Sequence, residues 1–184
     1  STPGWEPPAD LVAFLQTGPP PVFIGLGSLM VSEKESVRLS SIARDALHAA
    51  GVRGVVQSGN AGLRVTGDDD IVNIGSVPHD WLFPQMAAVV HSCGAGTTAA
   101  GLRAGVPTVG VPSPGGDQPF WASRLHAMGV APAPLGRLRS AALAERLTQA
   151  VALAPTARQV ADRLAGKDGV AAAVDRLERL IEDH

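Results

Sequence analysis

One cysteine in 184 residues, Cys93, excludes an internal disulfide framework. Lysine is nearly missing: only Lys34 and Lys167 occur, so arginine carries almost all the positive charge. With 15 basic and 17 acidic side chains the formal net charge is -2, and no block of like charge stands out. That argues against nucleic acid and anionic membranes as partners. No apolar run approaches the roughly 18 residues needed to span a bilayer. No secretory signal is visible. Stable membrane insertion is therefore not expected, and a cytoplasmic location is. Neither lysine falls in the G-x-x-x-x-G-K-[ST] pattern of a P-loop.

What is present describes a globular domain of ordinary size. Hydrophobic residues make up 45% and charged residues 17%, so the chain is neither disordered nor fibrous. The abundance of Ala, Gly and Arg resembles the bias of a high-GC bacterium. Ser1 to Pro8 is rich in proline and reads as a linker, with Trp5 contacting something outside this fold. Residues Ala9 to Thr17 read as a short helix, broken by Gly18-Pro19-Pro20-Pro21. Short apolar runs at Val22–Gly25, Val52–Gln57, Ile71–Ile74, Ala88–His91 and Thr108–Val111 read as buried strands. Gly129-Val130-Ala131 is a candidate sixth.

Helices are expected between them. One is capped by Ser32 with Glu35 three residues on, and ends at Gly51. Others are expected over His79–Met86, Gly96–Ala104 and Gln118–Met128. The last third reads as helical, with Ser140 as a cap, Pro155 as a stop, and Val170, Val174, Leu177 and Ile181 recurring at helical spacing. Alternating strands and helices predict an α/β fold, a Rossmann-like open parallel sheet with helices on both faces. Ligands bind such sheets at the carboxyl ends of the strands. The loops there, Gly25–Val31, Gln57–Gly62, Gly75–His79, Ser92–Thr98 and Pro112–Gln118, hold most of the informative polar residues.

The turn Gly94-Ala95-Gly96-Thr97-Thr98 opens a helix. Free N–H groups and the helix dipole favour an anion there, and glycine lets a phosphate approach the backbone. Taken alone, such a turn is as often an ordinary strand-to-helix connection. Gly25-Leu26-Gly27-Ser28 is a second strand-end loop. It is not a dinucleotide fingerprint, because the third glycine would fall at Met30 and no acidic residue follows the next strand. That disfavours a nicotinamide oxidoreductase. Asp117-Gln118 pairs a carboxylate with an amide, suited to vicinal hydroxyls; the plain alternative is that Asp117 caps the next helix. His91 and Cys93 form a lone H-x-C, far short of a zinc site, so no metal is expected. His48, His126 and His184 carry no assigned role. Trp81 and Trp121 are expected to pack around the pocket.

Four phrases carry a family resemblance: Pro20-Pro-Val-Phe-Ile-Gly-Leu-Gly-Ser28, Gly75-Ser-Val-Pro-His-Asp-Trp-Leu-Phe83, the segment from His91 to Pro112, and Gly116-Asp-Gln-Pro-Phe-Trp121. Together they resemble the C-terminal, donor-binding half of GT-B glycosyltransferases of family 1, of the sterol and antibiotic glucosyltransferase type. The resemblance covers essentially the whole chain. It implies a linking segment over residues 1–21 and a nucleotide-sugar-binding domain over 22–184. It implies transfer of a hexose or deoxyhexose, with inversion, from UDP or TDP to a hydroxyl of a lipophilic or natural-product acceptor. The donor would be a substrate, and no cofactor is implied.

By the same resemblance the Val77 backbone pairs with the nucleobase edge, with His79 nearby. The diphosphate falls to Gly27, Ser28, Ser92, Gly94, Ala95, Gly96, Thr97 and Thr98, and the sugar hydroxyls to Asp117 and Gln118. No catalytic residue is expected in this chain, because the family's histidine base and acceptor-binding region lie in an N-terminal half. The chain alone is then expected to bind nucleotide but transfer nothing. Three departures stand out. The family pattern His-His-Gly-Gly-Ala-Gly-Thr-Thr has Ser92 at its second position and Cys93 at its third. The Pro112–Asp117 loop is one residue longer than usual. Asn60 stands where close relatives have tryptophan. Ser92 motivates the alternative of a degenerate, non-catalytic domain that binds a nucleotide or a partner.

Overall fold

The computed structural model of the chain describes residues 4–27 and 29–182. Ser28 and His184, both named above, lie outside the described residues. The strands are β1 (Val22–Gly25), β2 (Gly54–Gln57), β3 (Ile71–Ile74), β4 (Ala88–His91) and β5 (Thr108–Gly110). The helices are α1 (Ala9–Gln16), α2 (Glu33–Ala50), α3 (His79–Leu82), α4 (Ala95–Ala104), α5 (Gln118–Ala127), α6 (Ser140–Val151), α7 (Ala154–Leu164) and α8 (Gly169–Glu182), with a 3-10 turn at Phe83–Gln85. The strands form one parallel sheet in the order β3-β2-β1-β4-β5. Chain order reverses between β1 and β4, where Gly25 pairs with His91. An open α/β sheet offers a ligand crevice at such a switch point.

Both faces of the central strands are covered, which is why β1 and β4 are apolar without alternation. Val22, Ile24, Val56, Val90 and Val109 pack against Leu39 and Leu47 of α2 and Leu143 and Leu147 of α6. On the other face Phe23, Val55 and Val89 pack against Leu11 of α1 and against Leu82 and Phe83. A third cluster joins Cys93 to Ala122 and Leu125 of α5 and to Ala157 and Val160 of α7. Helix α2 starts as expected: the Ser32 hydroxyl accepts from Glu35 N–H at 3.3 Å, and Gly51 closes the helix at φ 64°. The Glu35 carboxylate does not reach back to the cap. It pairs with Arg38 instead, which holds its pKa below the ordinary value.

Between β2 and β3 the crossover is a loop that buries Leu63 and Val65 and is pinned where Val65 N–H donates to Asn73 Oδ1 at 2.9 Å. Several expectations need correction. Gly129–Ala131 is no strand, although Val130 accepts one bond from Thr108 N–H at 3.0 Å. Ser140 is the first residue of α6 and caps nothing; Arg139 precedes it. Pro155 opens α7 rather than ending α6, in a first turn where a missing N–H costs nothing. Trp5 packs within this chain, edge-on to Trp81 at 5.3 Å between ring centres. Along α8 the side chains of Val170, Val174, Leu177, Leu180 and Ile181 stand exposed. No helix among the described residues is long and apolar enough to cross a membrane.

Candidate functional site

The carboxyl ends of β1, β2 and β3 enclose an open cavity of about 770 Å³. Gly27 forms part of its floor with φ 62°, in the left-handed region. Gly27 O accepts from Asn60 N–H at 3.4 Å, and a Cβ at Gly59 would lie 3.1 Å from that oxygen. Val77, Pro78 and His79 form the opposite wall. Gln57, Ser58, Asn60, Ser76 and Asp80 also line it. Of these five only Asn60 stands out in the sequence; the others are marked there just by their position at strand ends. Trp81 and Trp121 are not among the lining residues.

His79 is half-buried, stacked on Phe83 at 4.4 Å between ring centres and edge-on to Phe23 at 6.0 Å. Burial holds its pKa below the ordinary histidine value, with Asp80 opposing. Phe23 shapes this corner by folding over Gly25, where any Cβ would meet its ring at 2.5 Å.

Beyond the cavity, across the β1–β4 switch, lies the turn into α4. The Ser92 hydroxyl would be 3.6 Å from a Cβ at Gly27, so the two strand-end loops touch here. Gly94, at the N-cap, is extended (φ -63°, ψ 144°) and has no side chain to cap the helix. Thr98 N–H donates to Gly94 O at 2.9 Å, which leaves the amides of Ala95, Gly96 and Thr97 without intrahelical acceptors. Ala95 and Gly96 are exposed and Thr97 partly so, so these donors open outward. Thr98 is 2% exposed, and its hydroxyl turns inward with no partner among the described residues.

Two buried residues underlie the turn. Cys93 is the only non-glycine residue with positive φ among the described residues, at 63°, and its thiol is wholly buried. Burial pushes that thiol up to about 11, so it is no nucleophile at neutral pH. His91 is 1% exposed, and its Nδ1 accepts from Cys93 N–H at 2.9 Å. The proton of the neutral ring therefore sits on Nε2, which has no partner among the described residues. Burial, with His79 adding, pushes the His91 pKa down to about 4.

Asp117 and Gln118 stand at the start of α5. Asp117 does not cap that helix with its side chain. Its Oδ2 accepts from Trp121 Nε1 at 2.8 Å, and Gln118 Oε1 accepts from Ser113 N–H at 2.9 Å. Among the described residues these bonds leave the second carboxylate oxygen of Asp117 and the amide nitrogen of Gln118 unengaged. The structure thus brings Gly27, Val77 and His79 to one cavity and sets Ser92 at its edge. Gly94–Thr97 and Asp117-Gln118 continue the same edge of the sheet over β4 and β5. No group of three or more His, Cys, Asp or Glu among the described residues could hold a metal ion.

Comparison with known proteins fits this geometry. Residues 54–179 match the family model described as "Erythromycin biosynthesis protein CIII-like, C-terminal domain". The chain is 49% identical over 133 residues to sterol 3-beta-glucosyltransferase UGT80A2 of Arabidopsis thaliana, covering 71% of this chain and 20% of that protein. It is 39% identical over 185 residues to O-mycaminosyltylonolide 6-deoxyallosyltransferase of Streptomyces fradiae, covering 98% of this chain and 43% of that protein. It therefore spans less than half the length of these relatives, and their plant and bacterial origins do not narrow its source. Among solved structures, glycosyltransferase VinC in complex with dTDP superposes with a TM-score of 0.68 at 24% identity, covering 93% of this chain and 44% of that one. Arabidopsis thaliana UGT89C1 complexed with UDP gives 0.69 at 20% identity, covering 89% and 44%. These likenesses bear on the fold alone. The family match spans residues 54–179, so the chain belongs to the erythromycin biosynthesis protein CIII-like C-terminal domain family, the C-terminal domain of family 1 glycosyltransferases.

Proposed function

We propose that the chain is the donor-binding half of an inverting glycosyltransferase and takes a nucleoside diphosphate sugar, with UDP or TDP as the nucleotide. The observation that carries this is the sequence of chemistries along one sheet edge. An open cavity of about 770 Å³, ample for a nucleoside, comes first, then a turn of helix amides across the switch point, then a carboxylate–amide pair. In this reading the base sits between the Val77–His79 wall and Asn60. The diphosphate meets Gly27, Ser28, Ser92 and the Gly94–Thr97 turn, and the sugar meets Asp117 and Gln118.

An acceptor oxygen attacks the anomeric carbon as the bond from that carbon to the diphosphate oxygen breaks. The acceptor proton leaves to a base outside this chain. The diphosphate departs with the bonding electrons, and the α4 amides and dipole stabilise the charge that grows on it. The acceptor is a lipophilic or natural-product hydroxyl held by a further domain, so this chain alone turns over no sugar. The exposed apolar stripe of α8 offers that domain a face to pack on.

Titrating UDP, dTDP and GDP into the folded chain by calorimetry tests the reading. Binding of UDP or dTDP is expected, and no binding at millimolar nucleotide sinks it. Thr97→Ala should weaken that binding by about 1–3 kcal/mol, as for a lost bond to a charged group. Unchanged affinity removes Thr97 from the site.

A second reading, a degenerate domain that binds without transferring, is favoured by Ser92, which is short and cannot become cationic. If turnover by the protein that carries this chain is absent and Ser92→His restores it, that reading holds. Turnover already present and little changed by Ser92→His excludes it.

A further inference from the structure

The turn that presents the α4 amides depends on a conformation that its own residue disfavours. Cys93 sits at φ 63°, where a Cβ crowds the following carbonyl and where glycine is the usual occupant. That single left-handed residue redirects the chain from β4 into α4, between the extended Gly94 and the end of the strand. A buried non-glycine residue holds such a conformation only when its surroundings over-determine it. Three contacts bear on it here, one of them the Cys93 thiol donating to His91 O at 3.8 Å. The thiol lies against Gly110, where a Cβ would come within 2.8 Å of Sγ. The Cys93 N–H donates to Nδ1 of His91, two residues back, in a pocket with no water exposure to compete.

We infer that His91 is a positioning residue for the diphosphate turn: its Nδ1 clamps Cys93 in the left-handed conformation and so aims the amides of Ala95, Gly96 and Thr97 outward. The inference rests on the nucleotide-binding reading above. It assigns His91 a duty distinct from touching the ligand, since the ring is buried beneath the turn. It also explains why a cysteine is tolerated at a position suited to glycine. Glycine reaches positive φ unaided, so a glycine at position 93 makes the clamp dispensable.

The test is a small set of variants measured with UDP by calorimetry. His91→Leu removes the acceptor at similar volume and should weaken UDP binding about tenfold. His91→Asn places an amide oxygen near the Nδ1 position and should stay within about threefold of the unaltered chain. Cys93→Gly should also stay within about threefold, and adding it to His91→Leu should restore most of the lost affinity. Long-range proton–nitrogen NMR of the unaltered chain should show His91 protonated at Nε2 and bare at Nδ1 from pH 5 to 8.

Unchanged UDP affinity in His91→Leu overturns the inference. So does a His91→Leu/Cys93→Gly pair as weak as His91→Leu alone, or a proton on Nδ1. Should His91→Leu fail to fold, the double variant and the tautomer decide. If the unaltered chain binds neither UDP nor dTDP, the nucleotide reading fails by itself. The clamp is then judged by unfolding midpoints of the same variants, where Cys93→Gly must offset the loss from His91→Leu or the clamp is rejected.

Discussion

On the β1–β3 side the ligand edge is an open cavity walled by exposed or half-exposed side chains from loops and element ends: Gln57, Ser58, Asn60, Ser76 and His79. On the β4–β5 side it is a backbone turn, and the groups that shape it, His91, Cys93 and Gly110, are buried beneath it. The cavity side can therefore change residue by residue at small cost to the fold. On the turn side much of the work falls to backbone amides, whose geometry is set by the core beneath them. Mutation and pH should act unequally on the two halves.

The largest expected effect is that of acid on the turn. His91 has its folded pKa lowered to about 4 from an ordinary 6.5. The unfolded chain then binds the proton more tightly, so the folded state has its full stability above pH 6.5 and loses it as pH falls toward 4. At 1.36 kcal/mol per unit this single ring contributes on the order of 3 kcal/mol. His79, with its pKa also lowered by burial, acts in the same direction. Urea denaturation at stepped pH should show stability falling through this window, and His91→Asn should remove most of the slope. A slope that survives in His91→Asn would place the acid sensitivity elsewhere.

Next is Gly110→Ala. The new methyl would meet Cys93 Sγ at 2.8 Å, with Ala122 Cβ at 3.5 Å and Pro134 Cβ at 3.8 Å behind it. Overpacking of this kind costs about 1–3 kcal/mol. Because Sγ is the nearest obstacle, the same change should cost clearly less in a Cys93→Gly background. Equal costs in both backgrounds would mean that the thiol and Gly110 are not coupled.

The split between the halves also marks what a reader of the sequence can reach. The bounds of β3 and β4 follow from short apolar runs between turn residues, and the Ser32 cap and the Gly51 stop follow from local chemistry. So does the placement of the polar loops at strand ends. What fails is whatever depends on tertiary partners. Pro155 is compatible with either end of a helix, and only packing makes it the start of α7. Nothing in Asp117-Gln118 announces that one partner will accept from Trp121 and the other from Ser113. Nor does a lone His-x-Cys announce that the ring will accept from a backbone amide two residues on, an arrangement with no sequence pattern.

The smallest expected effect is on the open side, and it is the sharper test of the comparison. Asn60 lines the cavity, it is exposed, and its side chain forms no hydrogen bond among the described residues. Asn60→Ala should leave the unfolding midpoint within about 0.5 kcal/mol of the original, as for a surface replacement away from caps and cores. Any change in UDP affinity should be of similar size, because a solvated amide gives up its water bonds to reach the base. Asn60→Trp should act the other way, adding a stacking face worth about 1 kcal/mol or more to the bound base without touching the fold. If Asn60→Ala instead destabilises the chain as much as Gly110→Ala does, the cavity wall is as much a part of the core as the turn, and the contrast between the two halves is wrong.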